Sequence, residues 1–414
     1  MISPSGPTPA TVARRGSRAW SGPRWSHRVA LLLIGVMLFS GGCRTPAGPK
    51  PGRTKLSARL IDVPARVVGH LLVVETQWDK AGPWRFLIDT GSSTTLVSPE
   101  FADRYGTSEA ALQVPYVRVR GADGNMTMLP AVTIRRIELK DARFERVQSL
   151  IYDCTELSAH LGLKIDGVLG FPLFRDTILT LDYPQSRIIM TTAGEAPLVP
   201  GTRLPFDSGA QIPLIPINLG DRTLLALIDS GSDGTLNLNP IGLDLDFISG
   251  PRAGSTIGTL LGDRQQHVGR VETTLRLGHY RLPQPVVDLT DHLSSIGGEL
   301  LRHFTITFDQ VRGTATFHRD ATTPIESPGK RSSGISFSKT AAYWRVAGIV
   351  PDSPAAETDL QTGDLVVKIN GEKVEQWDLE RFATLVETAR AIEFTTLTGR
   401  TERAFHIPTL VLVP

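Results

Sequence analysis

Only two cysteines, Cys43 and Cys154, occur in 414 residues, so a disulfide framework is excluded and stability has to come from buried area. No continuous apolar run reaches the roughly 18 residues that a membrane-crossing helix needs, which excludes a multi-pass membrane protein. Aromatic residues make up 7% of the chain, and no block of lysine or arginine gathers into a basic stripe. Without such a stripe there is no electrostatic footprint for nucleic acid. The nine histidines are scattered, with no HExxH and no Cys/His cluster, so no metal site is expected. A G-x-S-x-G elbow and a glycine-rich phosphate loop are also missing, which sets aside serine hydrolase and nucleotide chemistry.

What is present is enough chain for two to four domains at about 150 residues each. The formal charge of +2 is misleading, because residues 1–43 hold five arginines and no acid; the remainder sets 39 basic against 42 acidic residues, a net of −3. Those first residues run from arginines into the apolar stretch Val29 to Phe39 and then Ser40-Gly41-Gly42-Cys43. The pattern resembles a bacterial lipoprotein export signal, which implies acylation at Cys43, membrane anchoring by that lipid or by the signal itself, and a periplasmic or membrane-anchored place in the cell envelope. A Pro, Gly and Lys-rich stretch, residues 44–55, reads as a tether. Cys154, in an apolar-rich setting with no histidine matched to it, reads as a buried small hydrophobe.

From Leu56 onward, short Val, Ile, Leu and Thr runs alternate with Gly, Pro, Asn and Asp, which predicts a mainly β body. The chain then repeats itself. Trp84 to Leu96 answers to Leu224 to Leu236, with Asp89 and Asp229 separated by 140, and Gly167 to Asp182 answers to Ser294 to Asp309 at a shift of 127. Two ordered matches predict two lobes of one design, residues 56–199 and 200–319. In each copy an apolar lead-in ends in Asp, then Thr or Ser, then Gly, so a buried strand delivers a carboxylate to a tight turn. If the lobes face each other, Asp89 and Asp229 meet, share a proton and titrate together. One can then take a proton from water while the other donates one to a peptide carbonyl, with no cofactor required.

On these residues the chain resembles the pepsin and retropepsin group of aspartic proteases, over about 260 residues. In that group each Asp-Thr/Ser-Gly turn is backed by a hydrophobic-hydrophobic-Gly stretch. Here the pairs are Asp89-Thr90-Gly91 with Val168-Leu169-Gly170, and Asp229-Ser230-Gly231 with Ser295-Ile296-Gly297, in which Ser295 is a polar departure. The resemblance implies catalytic roles for Asp89 and Asp229. It implies that Thr90 and Ser230 lock the turns together, and that the hydroxyls of Ser92 and Ser232 approach the carboxylates and favour their charged form. Asp233, beside the second turn, would push the other way. Two hairpin candidates, one turning near Asp123 and Gly124 and one near Gly262 and Asp263, fall where the family closes a flap over peptide.

A hydrophilic stretch, residues 320–333, reads as a linker to a last module, residues 334–414. The run of strand YWRVAGIV, then SPAA as the opening of a short helix, Gly363-Asp364, a strand ending at Asn370-Gly371, and a helix around Asp378 to Ala389 resembles a PDZ domain of the bacterial protease-associated type. That implies capture of a peptide's terminal carboxylate by the backbone N–H groups of Gly334, Ile335, Ser336 and Phe337. Ser336 to Lys339 also fits S-x-x-K, but it overlaps this loop and has no partner motifs. The fold class expected is therefore mainly β, a two-lobed pepsin/retropepsin-like acid protease body with a small α+β PDZ domain. The function expected is an exported aspartic endopeptidase acting on peptide or protein substrates. Its rival is an inactive envelope scaffold that binds peptides.

Overall fold

A computed structural model of the chain describes residues 51–107, 115–121, 124–194, 199–207, 211–259 and 262–414. The segment read as an export signal, with Cys43, lies outside the described residues. Strands dominate, as the alternation predicts. In Leu60–Val68, Ile61 and Val63 turn into the core at 2% exposure each, while Asp62 between them faces outward to Arg187. In Ala81–Asp89 the continuous apolar run Phe86, Leu87 and Ile88 is buried throughout, because that strand is covered on both faces.

Six antiparallel strands join the two halves of the body: Thr202–Pro205, Thr314–His318, Thr305–Asp309, Thr177–Asp182, Arg187–Thr192 and Leu60–Val68, in that order. Three come from each repeat. The central pair places Thr180 opposite Thr307, with their hydroxyls 2.9 Å apart. These two residues are separated by 127, the shift of the second sequence match, so the local twofold passes between them. Apolar packing crosses the same seam, with Phe171 edge-on to Phe308 at 5.2 Å and to Phe206 at 5.8 Å. One continuous hydrophobic cluster runs through both lobes.

Each lobe inserts a short strand between two others, directly behind its Asp turn. Gly167–Gly170 runs parallel to Ala81–Asp89 and antiparallel to Thr95–Val97. Ser295–Ile296 does the same between Arg222–Ile228 and Leu236–Leu238. The C-terminal module has its own core and a sheet ordered Ile335–Lys339, Trp344–Ile349, Leu365–Ile369, Ala391–Thr398 and Thr401–Pro408. Its helix Leu379–Thr388 starts at Asp378, whose carboxylate accepts the Arg381 N–H at 2.8 Å. Asn370 and Gly371, both at positive φ, turn the chain from Leu365–Ile369 into Glu372–Lys373.

Three expectations are corrected. The stretch read as a tether ends in a strand, Arg53–Leu56, which adds to the edge of Ala142–Ile151 and is pinned by Lys55 on Glu145 at 2.8 Å. The stretch read as a linker ends in Lys330–Ser332, which pairs with Leu410–Val413. SPAA opens no helix; it forms successive turns closed by Ala356 N–H to Ser353 O at 2.9 Å and Thr358 N–H to Ala355 O at 3.2 Å. Because Phe308 is fully buried at the seam, Phe308→Ala should lower stability by about 3–5 kcal/mol. Denaturant unfolding followed by tryptophan fluorescence measures this.

Candidate active site

Asp89 closes the strand Ala81–Asp89, opposite Gly170 in the parallel register. Its turn folds back so that Oδ1 accepts the Gly91 N–H at 2.8 Å and the Ser92 N–H at 3.1 Å. In the second lobe the Gly231 N–H donates to Asp229 Oδ1 at 3.0 Å. Between the turns, two hydroxyls form a reciprocal clasp. The Thr90 N–H donates to Ser230 Oγ at 2.9 Å and the Ser230 N–H to Thr90 Oγ1 at 3.0 Å. Each hydroxyl then donates across the seam, Thr90 to Ile228 O at 2.6 Å and Ser230 to Ile88 O at 2.8 Å. Both residues are 0% exposed, so the bonds do not compete with water.

The clasp brings Asp89 and Asp229 into hydrogen-bonding contact. A Cβ on Gly91 would sit 2.5 Å from Asp229 Oδ1, and one on Gly231 would strike the Asp89 carboxyl. Glycine at both positions is thus a requirement of close approach. Gly170 and Gly297 serve the same end behind the turns, where a Cβ would strike the carbonyls of Thr94 and Gly234. Burial pushes the Asp89 carboxyl up to about 6, against the pull of the Gly91 and Ser92 N–H groups and of Asp229. Burial, followed by the charge of Asp89, raises Asp229 well above the usual carboxylate range. Both acids are thus held above the ordinary carboxylate range by burial, and carboxyls this close titrate as one unit rather than independently.

Two expected contacts take a different form. The hydroxyls of Ser92 and Ser232 do not reach the carboxylates. Ser92 Oγ donates to Thr94 O at 2.8 Å, and Ser232 Oγ accepts from Asn237 Nδ2 at 3.1 Å, so in these tight turns backbone N–H groups rather than the serine hydroxyls serve the acids. Asp233 is exposed beside the second turn, and its charge is not among the causes that shift either acid of the pair. Asn237 was missed by the sequence reading. Its amide also donates to Ser295 Oγ at 2.9 Å, which explains the polar departure: a bonded Asn237–Ser295 pair occupies the positions held by Val97 and Val168 in the first lobe. Tyr183, also missed, is buried, and its phenol is raised chiefly by that burial and then by the charges of Asp229 and Asp89. Cys154 is buried and its thiol is pushed up to about 12, chiefly by burial.

The first hairpin, Tyr116–Arg120 with Met126–Leu139, turns where expected, closed by the Gly121 N–H on Asn125 O at 2.9 Å. Asp123 lies outside the described residues. Gly124, at φ 79°, abuts the imidazole of His292 in the second lobe, so this tip spans from one lobe to the other. The second hairpin, Phe247–Thr259 with Gly262–Val271, reaches the opposite way, with Asp263 3.5 Å from His160 of the first lobe. In the C-terminal module, two of the four N–H groups expected to capture a carboxylate are already engaged, and the other two residues are held by their side chains. Gly334 donates to Ser332 Oγ at 2.9 Å and Ile335 to Ser333 Oγ at 3.3 Å. Ser336 Oγ accepts the Thr256 N–H at 2.9 Å, and Phe337 packs among Trp344, Phe382 and Phe394.

With paired Asp turns clasped across a twofold, the body has the layout of an acid protease. Residues 74–173 match the aspartyl protease family model and residues 345–395 the PDZ domain model, so the chain joins an aspartyl protease segment to a PDZ domain. Among solved structures, the HtrA3 PDZ domain bound to a phage-derived ligand (FGRWV) is 23% identical. It covers 20% of this chain and 88% of its own, at a TM-score of 0.18. No curated protein matches.

The raised acid has a consequence for stability. The unfolded chain releases the Asp89 proton near the ordinary aspartate value, whereas the folded chain holds it to about pH 6. Folding stability from this group is therefore fully present below the unfolded value and is lost as pH rises through the folded one. Asp89→Asn should leave stability nearly unchanged at pH 4 and raise it by about 2 kcal/mol at pH 7. Paired denaturant melts at the two pH values measure this.

Proposed function

We propose that the chain is an aspartic endopeptidase in which each lobe supplies one member of a proton-sharing pair. The observation that carries this reading is the contact between Asp89 and Asp229, held by the Thr90–Ser230 clasp. Ionised Asp89 takes a proton from a water as its oxygen attacks the scissile carbonyl carbon, and Asp229 gives its proton to the carbonyl oxygen. The resulting gem-diol collapses as the proton on Asp89 passes to the amide nitrogen. The C–N bond breaks, and one diol hydroxyl returns a proton to Asp229. The pair is then reset, with no covalent intermediate.

The two crossing hairpins favour an extended peptide as the substrate, laid under them and shielded from water. The PDZ domain would recruit the C-termini of substrates or partners by strand addition. Residues 1–43 would export the enzyme, and lipid on Cys43 would hold it at the cell envelope. Because Asp89 must be ionised and burial holds its proton to about pH 6, the singly protonated pair is populated from about pH 6 upward until Asp229 ionises, so cleavage should rise as pH increases through about 6. Cleavage of an unfolded protein between roughly pH 3 and 8 tests this. Asp89→Asn should lower the rate by at least about a thousandfold at every pH. Equal cleavage by the variant would overturn the proposal.

A further inference from the structure

In the PDZ domain the strand Ile335–Lys339 is hydrogen-bonded on one side only, to Trp344–Ile349. An edge of that kind is where a peptide adds a strand. An open edge would be wet, yet no residue along this one is exposed; even Ser338 and Lys339 are 4% and 8% accessible. Phe337 and Lys339 are covered by the PDZ domain's own Trp344 and Phe382, while Ser336 and Ser338 are covered by the protease body. Helix Thr155–Leu161 of the first lobe lies against the strand. The Glu156 carboxylate receives the Ser338 hydroxyl at 3.5 Å and stands 3.4 Å from the Arg345 guanidinium. Leu379, at the start of the PDZ helix, packs into the apolar cluster that holds Leu157 and Leu161.

The second lobe closes the other end. The Thr256 N–H donates to Ser336 Oγ, and Thr256 itself fills the space where a Cβ on Gly348 would point. The same hairpin abuts His160 on the covering helix, through Gly258 and through Asp263 at 3.5 Å. Strand, helix and hairpin thus meet at one junction. The cluster beneath it reaches Val168 behind the Asp89 turn, and Val119 and Leu129 of the first hairpin.

We propose that the PDZ domain is a self-docked clamp. A peptide strand at Ile335–Lys339 and the protease body at the same strand exclude each other, so capture of an extended peptide releases the hairpin Phe247–Val271 and opens the cleft. The clamp's effect on cleavage rests on the endopeptidase reading above; the exclusion itself does not.

Two variants test it in the full chain without a chosen ligand. Gly348→Val drives a wedge at Thr256 from a backbone that accepts a side chain. Leu379→Asp removes the apolar contact while placing an acid in a helix first turn, where it is tolerated. Amide exchange at Leu365–Ile369 shows that the PDZ core remains folded. Each variant should speed exchange about tenfold in Ile335–Lys339, Thr155–Leu161 and Phe247–Thr259 together, and raise cleavage of an unfolded protein severalfold. Faster exchange confined to Ile335–Lys339, or released exchange with unchanged cleavage, would overturn the clamp. Absence of cleavage in wild type and variants alike would instead overturn the endopeptidase reading, with the exchange pattern alone deciding the exclusion.

Discussion

Two carboxyl groups placed in contact in a half-buried site repel each other once both are charged, and four hydrogen bonds hold them there. The bonds between Thr90, Ser230 and the carbonyls of Ile88 and Ile228 fix the separation of the two turns independently of the acids' protonation. Because the clasp is wholly buried, loosening it would leave polar groups unpaired in the interior, at about 1–3 kcal/mol for each group. That asymmetry lets the fold tolerate a pair whose ionisation it disfavours. The glycines follow from the same constraint, since any side chain at Gly91 or Gly231 would occupy the opposite carboxyl's place.

A second constraint aligns the lobes before the clasp can close. The six-stranded sheet with Thr180 against Thr307 at its centre places the halves in register, and the Phe171–Phe308 contact fills the space under it. The lobes are not identical, however. Where the first has Val97 and Val168, each buried in a separate apolar cluster, the second has Asn237 hydrogen-bonded to Ser295 and Ser232, so the Asp229 turn is supported by polar bonds and the Asp89 turn by apolar packing. Asymmetry of this kind fits a pair whose members carry different protonation states.

Much of this was legible in the sequence because duplication is visible as spacing. The separation of 140 reappears as the clasp and that of 127 as the central threonine pair. Apolar lead-ins ending in Asp-Thr-Gly and Asp-Ser-Gly marked the turns. What the sequence hid was side-chain direction. A serine after Asp-x-Gly can point to the acid or to a backbone carbonyl, and only the turn geometry sends Ser92 to Thr94. Asn237 carried a signal only as the counterpart of Val97, a polar residue where the repeat has an apolar one. The strands within the expected tether and linker were hidden because both are edge additions, specified by their partners more than by their own residues. The docking of the PDZ strand on the protease body depends on contacts remote in sequence, Glu156 with Ser338 and Thr256 with Ser336, which no local pattern encodes.

The central claim is that Asp89 and Asp229 form one titrating unit. Its most direct test is the carboxyl titration of Asp229, followed by NMR in protein with carbon-13-labelled aspartate, in the wild type and in Asp89→Asn. After burial, the charge of Asp89 is the main cause of Asp229's raised titration. The account predicts that Asp229 titrates at lower pH in the variant; a titration unmoved by the loss of Asp89's charge would contradict it.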